Sequence, residues 1–163
     1  MPTRSRILPM LLTAAALGLL IPLALMSQNS SDPWPASSVL EPPALAKLLT
    51  APAGKPPAIF AVAFPVLYNS KHLPHAVFAG PGSKPEGIEA LKKAAAGLPK
   101  DADIVLYCGC CPMTQCPNIR PAYRALQEMG FTHIRVLDIP TNMATDWFGK
   151  GYPFEEGQPR PSN

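Results

Sequence analysis

Outside one stretch of nine residues the chain has no cysteine; Cys108, Cys110, Cys111 and Cys116 are its full complement. A disulfide framework spread over a small secreted fold is thereby excluded. No Cys-x-x-Cys-His is present, so haem attachment is excluded, and the two Cys-x-x-Cys pairs of a structural zinc module are missing as well. There is no glycine-rich phosphate loop and no internal repeat. Charge is sparse too: the net charge is +3, and no basic cluster interleaves with aromatics, which excludes a nucleic-acid surface.

Proline, by contrast, is abundant at 22 residues, gathered between Pro33 and Pro85 and near the C-terminus, where it marks loops around a compact unit. The N-terminus has its own character. Arg4 and Arg6 precede an uncharged apolar run that opens at Ile7 and closes at Met26 (residues 7–26), followed by a polar Ser/Asn stretch. This pattern reads as an export signal or an uncleaved membrane anchor. Its basic flank keeps the N-terminus in the cytoplasm and places the remainder outside, in a periplasmic or other extracytoplasmic space. Residues 27–42 read as a Ser/Pro-rich linker, 43–156 as the folded domain and 157–163 as a tail.

Within the domain, Pro43-Ala44-Leu45-Ala46-Lys47-Leu48-Leu49 has the spacing of a short amphipathic helix. Ala58-Ile59-Phe60-Ala61-Val62-Ala63-Phe64 is an apolar run bounded by prolines, as expected of a strand buried on both faces of a parallel sheet. Ala76-Val77-Phe78-Ala79 is a further candidate strand. A helix is predicted from Pro85 to a C-cap at Gly97, then a strand Ile104-Val105-Leu106-Tyr107. A second helix follows, N-capped by Asn118 and ending at Gly130, and a strand Thr132-His133-Ile134-Arg135-Val136-Leu137 comes last. Alternating strands and helices imply an α/β fold with a mainly parallel central sheet flanked by helices, preceded by the apolar segment. Ligands of such sheets sit beyond the carboxyl ends of the strands.

The four cysteines occupy such an end, between a strand and a helix. Main-chain N–H groups and the positive end of a helix dipole favour a thiolate there, and Cys108, the first residue past the strand, is the candidate nucleophile. Cys110, Cys111 and Cys116 are candidate resolving or sulfur-accepting thiols, with a Cys108–Cys116 disulfide open to an exported protein. Several thiolates on one loop equally suit Cu(I) or zinc, which leaves soft-metal binding and thiol–disulfide redox chemistry as rival readings. Arg120, in the first turn of the following helix, is a candidate contact for an anionic donor.

Three stretches together resemble the rhodanese family of single-domain sulfurtransferases. Lys71-His72-Leu73-Pro74-His75-Ala76 is similar to that family's Gly-His-Ile-Pro-Gly-Ala segment. Ile104-Val105-Leu106-Tyr107-Cys108, with Ala125-Leu126-Gln127-Glu128-Met129-Gly130-Phe131 and Ile134-Arg135-Val136-Leu137, resembles its strand, active cysteine, helix and next strand. Asp146-Trp147 with Gly151-Tyr152-Pro153 resembles its closing Trp and Gly-x-Pro. The resemblance implies transfer of a sulfane sulfur, from a donor such as thiosulfate to a thiol or cyanide, through a persulfide on Cys108. It implies no resident cofactor, and its partners are a small sulfur donor and a thiol acceptor; oligomeric state is left open.

Two departures from the family stand out. Its usual Asp-x-Arg is replaced by Ala61 and Ala63, and the loop after Cys108 is about five residues longer, with three extra cysteines and Pro112 and Pro117. Thr114, six residues past Cys108, replaces the arginine of related phosphatases, which disfavours phosphate chemistry. In the resembling segment His72 is expected to be a structural turn residue, and Trp147 to pack the C-terminal segment onto the core with its indole N–H paired.

Overall fold

The computed structural model describes residues 32–51 and 55–157. The apolar run, the first residues of the expected linker and the last six residues of the expected tail lie outside these. Among the described residues no helix is long and apolar enough to cross a membrane.

Five parallel strands form the central sheet: β1 (Val39–Leu40), β2 (Ala58–Ala61), β4 (Val77–Phe78), β5 (Ile104–Tyr107) and β6 (Ile134–Leu137), in the spatial order β1-β6-β5-β2-β4. A two-stranded antiparallel ribbon, β3 (Lys71–His72) with β7 (Glu155–Glu156), ties the C-terminal segment to the body. Helices α1 (Pro42–Thr50), α2 (Pro65–Tyr68), α3 (Pro85–Ala95), α4 (Ile119–Glu128) and α5 (Met143–Asp146) complete the fold.

The two-residue period of a strand sorts the core into two layers. Phe60 and Val62 of the β2 segment, and Ile104, Leu106 and Cys108 of the β5 segment, pack with Leu91 of α3 and with Ile119, Ala122 and Leu126 of α4. Ile59, Ala61, Val105 and Tyr107 point the other way, onto Leu45 of α1, Leu73 and Trp147. All four β5 residues are buried, which explains an apolar run without alternation. Pairing aligns Ala61 with Tyr107 and Leu106 with Val136. The alternation therefore carries Cys108 onto the α4 side, at the carboxyl end of the central strand.

Three expectations are corrected in detail. Residues 27–42 are not linker throughout: Val39 and Leu40 pair with Val136 and Leu137, and Trp34 is buried against Tyr123 with ring centroids 5.4 Å apart. A two-residue strand inside a Ser/Pro-rich stretch has no periodicity of its own; pairing with β6 defines it. The strand over Ala58 to Phe64 is shorter, ending at Ala61, although Val62 N–H still donates to Tyr107 C=O at 2.9 Å. Helix α3 stops at Ala95, and Gly97 does not adopt the left-handed conformation of a C-cap, whereas Gly130 past α4 does, at φ +85°.

Candidate functional site

Strand β5 ends by delivering Cys108 to the sheet's carboxyl edge, and Gly109 then turns the chain. Its φ of +85° is a left-handed conformation, and a Cβ there would lie 2.0 Å from Met143 Cγ, so both backbone and space demand glycine. The turn brings the next residue back over the sulfur: the Cys110 N–H donates to Cys108 Sγ, and the Cys110 thiol sits 3.4 Å from it. A short 3-10 turn at Met113–Gln115 then carries the chain to Cys116, which is buried beside Cys108.

Asn118 completes the surroundings of Cys108. It is fully buried, and its Nδ2 donates to Cys108 Sγ at 3.2 Å. The orientation of the amide is set from the far side, because Ser83 N–H donates to its Oδ1 at 3.0 Å and so leaves Nδ2 to face the sulfur. Gly82 makes this approach feasible: a Cβ on Gly82 would lie 2.2 Å from the Asn118 carbonyl oxygen. The sequence reading makes Asn118 an N-cap, yet its side chain makes no cap bond.

These donors decide the ionisation. Cys108 is 4 % exposed, and burial alone would raise its pKa. The Cys116 thiol donating to its sulfur outweighs that, helped by the Asn118 amide and the Cys110 N–H and thiol, and the pKa falls to about 6. Cys110 is pushed up to about 12 by burial, by its hydrogen bond with Cys111 and by the charge on Cys108. Cys116 is also pushed up, chiefly because its proton is held by Cys108. Negative charge is thus favoured on Cys108, while Cys110 and Cys116 hold their protons more tightly.

The expected cradle of main-chain amides takes a different form. Of the backbone N–H groups named above only that of Cys110 serves Cys108, while the N–H groups of Asn118 and Ile119 at the start of α4 point to Cys116. The longer loop is the reason: it places Cys116, not Cys108, three residues before the first residue of α4. Side-chain donors replace the missing amides at Cys108.

Arg120 does not face the thiolate. Its guanidinium donates to Cys116 C=O (3.2 Å) and Thr114 C=O (2.8 Å) and pairs with Asp32. It holds the loop from behind instead of offering a charge to an anion. Cys111 lies 3.3 Å from Cys110 and is half-buried, lining a small hollow together with Cys108 and Cys116. His72 Nδ1–H donates to Tyr68 C=O at 2.9 Å while its Nε2 lies 3.5 Å from the Glu155 carboxylate, and His75 occupies a turn at φ 59°. Trp147 is fully buried, its Nε1–H donating to Pro153 C=O at 2.8 Å.

A cavity of about 520 Å³ opens in front of Cys108 and Cys110. Ala61 and Ala63 are in its wall together with Tyr68, Met143 and Phe148, and among the described residues Lys71 is its one cationic lining residue. The small residues at the positions of the family's Asp-x-Arg therefore contribute room to the cavity. Tyr107 also lines it, but burial holds its hydroxyl protonated, well above the ordinary phenol range. It accepts a hydrogen bond from Leu73 N–H.

Fold and site together define an α/β domain with a buried cysteine where a central strand runs into a loop and helix. The family model for the rhodanese-like domain matches residues 44–139, more than half of the chain, and the chain belongs to that family, which is of sulfurtransferase type. Among solved structures, the crystal structure of the Alr3790 protein from Anabaena sp. is 24 % identical. It covers 72 % of this chain and 82 % of that one, with a TM-score of 0.53. The solution structure of the rhodanese-like domain of Alr3790 is also 24 % identical, covering 77 % and 86 %, with a TM-score of 0.51. These likenesses bear on the fold. No curated protein matches the chain.

Proposed function

We propose that this protein moves a sulfane sulfur through a persulfide on Cys108. The observation that carries the proposal is the Cys108 sulfur, which accepts from Asn118 Nδ2, has the Cys110 and Cys116 sulfurs close by and faces an open cavity. The thiolate attacks the outer sulfur of a donor such as thiosulfate; the donor's S–S bond breaks and sulfite leaves with the electron pair. Cys108 then carries the transferred sulfur as a persulfide. An acceptor thiolate or cyanide attacks that outer sulfur, and the Cys108 thiolate is released to begin again.

The donors around Cys108 support both halves of this cycle, since they stabilise the thiolate as nucleophile and as leaving group. Lys71 supplies the positive field for an anionic donor in the cavity. The test is intact mass after incubation with thiosulfate. An adduct of about 32 daltons, one sulfur atom, is expected, and it is lost in Cys108→Ser. An unmodified native chain, or an adduct that survives Cys108→Ser, overturns the proposal.

A second reading, thiol–disulfide exchange within the loop, is favoured by the 3.4 Å approach of Cys108 and Cys110 and by the Cys116 sulfur lying within 4.8 Å of both. It predicts loss of about two daltons on mild oxidation in place of the sulfur adduct. The basic and apolar N-terminus supports export or anchoring, with the catalytic domain outside the cytoplasm. Protease digestion of intact cells and of spheroplasts checks that placement: degradation only in spheroplasts is expected, and protection in both refutes it.

A further inference from the structure

We infer that Cys108, Cys110 and Cys116 form a three-sulfur site for a soft monovalent cation, Cu(I). Their Sγ atoms all lie within 4.8 Å of one another, with Cys108 and Cys110 at 3.4 Å. An ion with metal–sulfur bonds of about 2.3 Å at the centre of three sulfurs holds them about 4 Å apart, so little movement is needed.

The three ligands are held by separate parts of the fold. Cys108 is fixed by the end of β5, Cys110 by the left-handed turn at Gly109, and Cys116 by the first N–H groups of α4 and the Arg120 brace on its carbonyl. Asn118 Nδ2 donates to the Cys108 sulfur from behind, as outer partners of metal ligands do.

The surroundings select the ion. Among the described residues neither hollow bordering these sulfurs is lined by a histidine, aspartate or glutamate, whereas Met113 and Met143 are among the lining residues. Zinc sites want four ligands, commonly completed by nitrogen or oxygen, while a sulfur-only environment suits Cu(I). Cys111 lies 3.3 Å from Cys110 but outside the group of sulfurs that all fall within 4.8 Å of one another, and it is not a ligand. On binding, three copper–sulfur bonds form, the thiol protons pass to water and no electron moves.

The test is anaerobic competition between the reduced full-length protein and bicinchoninate for Cu(I), with X-ray absorption on the loaded protein. One equivalent of Cu(I) and three sulfur neighbours are expected. Cys110→Ser and Cys116→Ser lose the stoichiometric uptake, and Cys111→Ser retains it. Because Cys110 is exposed, its variant is expected to fold, which unchanged thermal unfolding verifies. Full uptake by a folded Cys110→Ser, loss of uptake in Cys111→Ser, a four-sulfur signature, or equal retention of zinc overturns the inference. Sulfur transfer is not required for it: a chain that binds Cu(I) but gains no sulfur adduct leaves this site standing and removes the other proposal.

Discussion

At residue scale the balance at Cys108 is set by few groups, and each can be removed. Its pKa of about 6 means the reactive thiolate is present above that pH and is lost as pH falls through it. Alkylation of Cys108 by iodoacetamide should therefore rise with a midpoint near pH 6, measured by peptide mapping. Asn118→Ala deletes one donor to the anion, an interaction worth about 1.5–3 kcal/mol, and should move that midpoint up by about one pH unit or more. Asn118→Asp should move it further, because a carboxylate brings repulsion where the amide brought a donor. A midpoint that Asn118→Asp leaves in place would remove Asn118 from the ionisation of the site.

Cys108 was legible from sequence because a buried apolar run fixes where a strand ends, and the residue after it is placed by the strand itself. Asn118 was not, since its role depends on Ser83 and Gly82, thirty-odd residues away, which orient its amide. Arg120 was misplaced for a similar reason. Its position in the first turn of α4 was correctly read, but the neighbouring carbonyls and Asp32 claim its donors.

The loop's shape belongs to the scale of elements. Gly109→Ala forces a side chain into a left-handed backbone and against Met143 Cγ, at a cost of about 2 kcal/mol or more. Chemical denaturation of Gly109→Ala, Met143→Ala and the double variant separates the two causes. Relief of only part of the loss in the double variant is expected, the remainder being backbone strain. Full additivity would show that the contact with Met143 contributes nothing.

Sequence and structure agree best where an element carries its own signal. Strand β5 has the predicted bounds, and α4 presents Ile119, Ala122 and Leu126 to the core as its spacing requires. Agreement fails where distant pairing defines the element, as at β1, or where loop length redirects donors, as with the α4 amides that serve Cys116.

For the whole molecule, the N-terminal boundary of the domain is the clearest measurable consequence. Trp34 is buried, β1 pairs with β6, and Asp32 pairs with Arg120 behind the cysteine loop. A chain beginning at Asp32 is expected to unfold cooperatively, whereas one beginning at Pro43 loses both the strand and the tryptophan. It should be less stable by about 3 kcal/mol or more, the usual loss for deleting a large buried aromatic, as read from urea midpoints. Equal midpoints would restore residues 32–42 to the status of a connector.

Strands β1 and β4, each two residues long, are the outermost members of the sheet. An unfinished ladder of that size presents few idle backbone groups for a neighbouring chain to zip onto. The molecule can thus keep its reactive sulfur rim open to small visitors while its flanks offer little purchase for fibrous growth.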